Sequence, residues 1–311
     1  MRRKSTLTIS ILSIVLFYNC SNPSSESGKI VPAGDCSDII MDTTYSKVLT
    51  GTAGYDITKA SDCSYIISGS AGNTILMKID QFGNEVWSSS YDELSGSHWG
   101  NSVNPTNDGG YIIGGNQNII IKTDSLGTME WHQKLSYSVA HYVEDVIQTS
   151  DGDYMVVGGV GGDPIGGDAV KGKAFMLRMS EGGSIQWVKR YGITDTPNNT
   201  FWSVVEADDG GFVLAGEKLQ DRNFEFYDHF WVMKTNTNGD EQWSIESGGN
   251  LWDEARDIVK LSDGSYIVTG KISLSSTNLN MRVMRVSSGG EIIWQNNHGG
   301  GNNETGLSMT L

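Results

Sequence analysis

The 311-residue chain has little proline, with five residues, and little charge, with 19% Asp, Glu, Lys and Arg. That scarcity of proline excludes a Pro-rich disordered tract, although 39 glycines are spread along the chain. Basic residues are the minority: 22 Lys and Arg stand against 37 Asp and Glu, for a net charge of −15. There is no basic stripe, which argues against nucleic acid, because phosphate binding needs clustered Lys and Arg. The apolar run from Ser5 to Tyr18 is short for a transmembrane span, which needs ~20 residues. Cysteines number three, none in a CxxC pair or a His/Cys cluster, so no metal site is expected. GxSxG and HExxH are missing, and no motif calls for a cofactor. Aromatics, by contrast, are plentiful: 9 Trp, 12 Tyr and 8 Phe supply material for a core.

The N-terminus reads as a targeting segment. Arg2, Arg3 and Lys4 precede the Ser5–Tyr18 run, which ends at Cys20 and the polar stretch SNPSSESGK. This arrangement resembles a lipoprotein signal, which implies removal of residues 1–19 and lipidation of Cys20. Phe17, Tyr18 and Asn19 depart from the small residues usual before such a cysteine, and relaxed signals of this sort resemble those of spirochaetes and Bacteroidota. The alternative is an ordinary secretory signal cleaved nearby. Export follows from both, and the lipidated reading gives a membrane-anchored protein, outer-membrane and facing the periplasm or the surface. Residues 20–43 read as a tether and 44–311 as the folded domain. Cys36 and Cys63 remain as a candidate disulfide, since thiols of exported proteins commonly pair; two unpaired thiols are the alternative.

Internal repetition is the main signal. An acidic turn, an aromatic and a β-rich run recur as DCSYIISGS (62–70), DGGYIIGGN (108–116), DGDYMVVGG (151–159), DGGFVLAGE (209–217) and DGSYIVTGK (263–271). Each is followed by a second marker: ILMKIDQFGNEVW (75–87), IIIKTDSLGTMEW (119–131), FMLRMSEGGSIQW (175–187), WVMKTNTNGDEQW (231–243) and VMRVSSGGEIIW (283–294). Each copy predicts four short strands, A to D, rich in β-branched and aromatic residues and punctuated by Gly, Asn and Asp. Asp-Gly suits the A–B turn. Between C and D, Gly83, Gly127, Gly183, Gly239 and Gly290 suit a type I turn closed by a left-handed glycine. The tryptophan of strand D is expected to pack between neighbouring units.

Tandem four-stranded units of this length are what a β-propeller requires. The pattern resembles the DGG-Y…K-x-D-x-x-G-x-x-x-W repeats of secreted and lipid-anchored bacterial propellers, and is distantly similar to quinoprotein-like and BamB-type propeller repeats. The expected fold is therefore an all-β propeller of four-stranded blades, with five full repeats. Residues 43–49 resemble a strand D, and 301–311 the opening of another copy, so a partial sixth blade is expected.

In that fold the D–A and B–C loops share one face, and here they are long and varied: 158–174, 217–229 and 271–280 between B and C. The D–A loops bring His98, Trp99, His141, Tyr142, Trp202 and Trp252, which are candidate ligand contacts or plugs between blades. Asp56, Ser102, Asp145, Ser203 and Asp257 recur six positions before each acidic turn; they either hold a cation or accept hydrogen bonds from a neighbouring blade. Glu144, Asp145, Asp253 and Glu254 are the acids a glycosidase-like pair would draw on. The function expected is non-catalytic: a protein- or glycan-binding module acting through its loop face. An envelope scaffold resembling BamB is the alternative, and an enzyme the third reading.

Overall fold

The alternation of β-branched residues with turn glycines yields, in a computed structural model, strands only: no helix occurs among the described residues. These are 52–310, apart from 93, 95–97, 137–141, 160–172, 193–198, 223–224, 249–250, 276–277 and 301–302. The signal segment, Cys20, Cys36 and His141 lie outside them.

Five antiparallel blades follow one another. The first comprises β1 (Ala53–Lys59), β2 (Tyr65–Ser70), β3 (Thr74–Ile79) and β4 (Glu85–Ser90). The second comprises β5 (Gly100–Pro105), β6 (Tyr111–Gly115), β7 (Ile119–Thr123) and β8 (Met129–Lys134). The third is β9 (Tyr142–Gln148), β10 (Tyr154–Gly159), β11 (Ala174–Met179) and β12 (Ile185–Tyr191). The fourth is β13 (Thr200–Glu206), β14 (Phe212–Arg222), β15 (Glu225–Thr235) and β16 (Glu241–Ser247). The fifth is β17 (Glu254–Lys260), β18 (Tyr266–Ser275), β19 (Asn278–Val286) and β20 (Ile292–His298). A pairing of Gly159 with Thr200 joins blades three and four into one continuous sheet.

The two middle strands of the first three blades are largely buried and the fourth is more exposed, as in β6 and β7 against β8, while in blade five the middle strands alternate. First strands of successive blades lie side by side around the axis. The acid of each A–B turn pairs with the basic residue of strand three: Asp62 with Lys78 at 2.7 Å, Asp108 with Lys122 at 2.7 Å, Asp209 with Lys234 at 2.6 Å, Asp263 with Arg285 at 2.6 Å, and Asp151 with Arg178. Lys122 and Lys234 are buried, so these acids also neutralise charges that water does not reach.

The tryptophans sit between blades. Trp87 packs on Tyr111 of the next blade and Trp131 on Tyr154, with ring centroids 6.3 and 5.8 Å apart. Trp187 and Trp243 border the clusters that contain Phe212 and Tyr266. Each ring also lies over the next blade's C–D glycine: a Cβ on Gly127 would fall 2.6 Å from Trp87, and one on Gly290 2.7 Å from Trp243. Those glycines have φ near +80°, closing the turn as the spacing predicted.

Two of the expected loops are strands. Residues 217–222 and 225–229 continue the β14–β15 hairpin, with Lys218 opposite His229 and Leu219 opposite Asp228, and 271–275 and 278–280 continue β18–β19, with Ile272 opposite Asn280. Polar side chains hid them, because apolar residues such as Leu219 and Ile272 are few there and stand between polar neighbours. The third expected loop, 158–174, lies mostly outside the described residues. Cys63 is disulfide-bonded, and its partner is also outside them.

Candidate functional site

Each first strand carries a β-bulge at the same place. Pairing jumps from Gly54 to Asp56, Gly100 to Ser102, Val143 to Asp145, Phe201 to Ser203 and Ala255 to Asp257. The residue skipped is Tyr55, Asn101, Glu144, Trp202 or Arg256. A bulge re-aims the side chain of the extra residue. Here it brings together, at the loop-side end of the axis, five chemically different groups from five blades.

Two pairs of them are in contact. Asn101 Nδ2 donates to Glu144 Oε2 at 3.1 Å and to the Val143 carbonyl at 3.0 Å. The Arg256 guanidinium lies 3.8 Å from the centre of the Trp202 ring, a cation–π contact, and also pairs with Glu254. Burial pushes the Glu144 carboxyl up to about 7, against the pull of the Arg256 charge and the Asn101 hydrogen bond. Tyr55 stacks on Trp99 of the next blade, with centroids 6.2 Å apart.

A second acidic group adjoins Arg256. Burial, with the neighbouring Glu254 and Asp228 charges, lifts Glu217 to about 8; burial and Glu254 lift Asp228 to about 6. Lys271 bonds Glu254 at 2.5 Å. The buried Trp202 Nε1 and Asp228 Oδ1 have no hydrogen-bond partner among the described residues. Polar atoms in that position are suited to a polar ligand's donors and acceptors. Glu217 and Asp228 were not among the sequence candidates, because they fall in the segment read as a loop.

The candidate residues separate. Trp252 is 65% exposed; Trp99 and Tyr142 are also exposed. Trp202 lies under Arg256. His98 is buried, only 1% exposed. Of the four acids, Asp253 is spent on the backbone N–H of Ser273 at 2.6 Å, and Asp145 on Val146 and Val204. Of the four, Glu254 gathers with two other acids, Glu217 and Asp228.

One layer deeper, Asp56, Asp145 and Asp257 each accept two backbone N–H groups. One comes from the next residue, Ile57, Val146 or Ile258, at 2.8 Å. The other comes from Val103 at 2.8 Å and Val204 at 3.1 Å on the adjacent inner strands, and from Met309 at 2.5 Å in the C-terminal segment. These are the blade-to-blade bonds that the sequence offered as one reading of the series. All three carboxyls are raised by burial, Asp145 to about 8, with the other two charges adding to it. No group of three or more His, Cys, Asp or Glu among the described residues is placed to hold a metal ion.

No family model matches the chain, and no curated protein matches it in sequence. Solved structures do. The WD40 domain of Neurospora crassa Pan2 shares 11% identity at a TM-score of 0.56, over 79% of this chain and 66% of that one. The Dos1 propeller shares 12% at 0.52, over 80% and 59%. BamB from Moraxella catarrhalis shares 12% at 0.48, over 83% and 78%, a score too low to build on. The first two likenesses are to propellers, and with the blades described above they establish that this chain is an all-β propeller.

Proposed function

We propose that the protein is an exported, lipid-anchored propeller that binds a protein or glycan at the loop-side mouth of its axis, without catalysing a reaction on it. The observation that carries this reading is the bulge ring. Five blades repeat one backbone irregularity, yet fill it with Tyr55, Asn101, Glu144, Trp202 and Arg256. Repeated geometry with varied chemistry is the pattern of a scaffold that displays a site. At the opposite end, the turn residues are engaged in Asp–Lys or Asp–Arg pairs and in glycine–tryptophan packing. Exposed Trp252, Trp99 and Tyr142 surround the mouth and offer flat apolar faces to a sugar ring or a peptide.

The test is a cross-linking pull-down from native envelope and matrix extracts, using soluble mature protein with Cys20→Ser. A parallel bait adds Trp252→Ala and Arg256→Met and is checked for an unchanged melting temperature. A partner or glycan captured by the first bait and lost by the folded second supports the reading. Equal capture by both removes the site from the mouth.

A further inference from the structure

Three carboxyls meet at the loop-side end of the seam between blades four and five. β14 and β15 pair without interruption, so side chains alternate regularly along them. Val213 and Ala215 of β14, with Phe230 and Val232 of β15, share one core cluster with Ala255 and Ile258 of blade five. The same alternation carries Glu217 and Asp228 to that side, where both feel the charge of Glu254 across the seam.

Positive charge runs short there. Glu254 holds both nearby bases, Lys271 at 2.5 Å and Arg256. Arg256 also draws on Glu144, while Asp253 and Arg282 act on one another. Lys218 turns to the other side of the hairpin, over Trp231, and pairs with Glu246. Glu217 and Asp228 are thus left without an ion pair among the described residues. Their raised carboxyls, at about 8 and about 6, reflect burial first and the neighbouring acids second.

Unmet hydrogen-bonding groups adjoin this shortage. Asp228 is only 8% exposed, yet its Oδ1 accepts from no group among the described residues. The buried Trp202 Nε1 and Arg256 Nε donate to none of them, and the guanidinium lies on the Trp202 ring, which makes those two donors neighbours. Trp252 stands at the brim: its side chain is exposed, and the N–H of the next residue, Asp253, donates to the Asp228 carbonyl at 2.9 Å.

We infer that the mouth takes an amino sugar with a free amine, its ammonium between Glu217 and Asp228, a ring oxygen or hydroxyl at Trp202 and Arg256, and its pyranose face on Trp252. This names the ligand class of the site proposed above and rests on that reading. An ammonium brings the missing charge together with three donors. A metal ion needs several converging oxygens, and no group of three or more acids among the described residues is placed to hold one. A simple alkylamine would satisfy the carboxyls and leave Trp202 and Arg256 unmet, whereas an amino alcohol answers both. Whichever partner brings the proton, the bound state is ammonium facing carboxylate, the strong charge-assisted form.

The probes are the β-1,4-linked tetramer of glucosamine and its fully N-acetylated form, titrated calorimetrically into the Cys20→Ser protein. The free-amine tetramer is expected to bind saturably, and the acetylated one at least tenfold more weakly. Glu217→Gln and Asp228→Asn are each expected to cost at least tenfold in affinity for the free-amine tetramer without lowering the melting temperature. The comparison of the two tetramers needs no variant, so it stands should either substitution prevent folding. Pentalysine binding as tightly as the free-amine tetramer, indifference to both substitutions, or no saturable binding would overturn the inference. Equal binding of the two tetramers, lost in Trp252→Ala, would overturn the amine and leave the mouth as the binding site. Capture of a partner at the mouth from extract, with neither tetramer bound, would do the same.

Discussion

The carboxylate of Asp257 accepts the backbone N–H of Met309, fifty-two residues further along the chain, at 2.5 Å. This bond fastens the 303–310 segment to blade five, whereas its counterpart from Asp145 to Val204 joins two complete blades. Asp257→Ala is therefore expected to release the segment locally. Hydrogen exchange at 304–310 should accelerate ten- to a hundredfold while the rest of the ring keeps its protection. Asp145→Ala removes two acceptors in the interior and should cost about 2–4 kcal/mol in global stability, read from urea denaturation. Equal global losses for the two would contradict the assignment.

Stability should fall as pH rises above about 4. A buried carboxyl raised from 3.8 to about 8, as at Asp145, keeps its proton in the folded state where the unfolded chain has lost it. The folded state then binds more protons, so each step up in pH across that window favours unfolding. Glu217, about 8, and Glu144, about 7, add the same sign. Asp108 acts the other way: hydrogen bonds from Lys122 and Thr106 outweigh its burial and hold it at about 2, so its contribution disappears only in strong acid. Urea midpoints should be higher at pH 5 than at pH 8, and the slope should flatten in Asp145→Ser, which places there the serine of positions 102 and 203.

Two glycines with positive φ separate conformational strain from packing. Gly152 has φ of +95° and open space around a would-be Cβ, whereas Gly127, at +76°, meets the Trp87 ring. Gly152→Ala should cost about 1 kcal/mol from the backbone alone. Gly127→Ala should cost at least ~1 kcal/mol more, because the ring or the turn must move. Melting curves of the two variants decide it, and the larger loss must fall on Gly127.

Arg256 and Glu144 belong to blades five and three yet sense one another across the mouth. Arg256→Met removes the positive charge that draws Glu144 down, so the Glu144 carboxyl should titrate above about 7. Carbon-13 NMR of the labelled glutamate would record this. The same substitution takes the cation off the Trp202 face and should alter that ring's emission.

The blades were legible in the sequence because each repeated residue performs one local task. Asp108 pairs with Lys122, Gly127 makes room for Trp87, and Trp87 needs Tyr111. Tasks so fixed permit few residue types, and periodicity follows. The bulge ring was not legible, since its five members share a backbone position and no chemistry. Its trace was the recurring Asp or Ser directly after each of them, read in the sequence as a cation site or as acceptors from a neighbouring blade and not as the mark of a bulge. Glu217 and Asp228 escaped for another reason: the outer part of the β14–β15 hairpin holds polar residues on paired backbone, and polarity reads as loop.

The central claim is that ligand meets the loop-side mouth and not the turn side. A benzophenone photo-cross-linker placed at Trp252 reports the first, and one at Leu126, 68% exposed in a C–D turn, reports the second. Irradiated in native envelope or matrix extract, the Trp252 probe should yield discrete adducts that Arg256→Met abolishes, and the Leu126 probe should yield none. Adducts from Leu126 alone, or adducts from Trp252 indifferent to Arg256, would contradict the account.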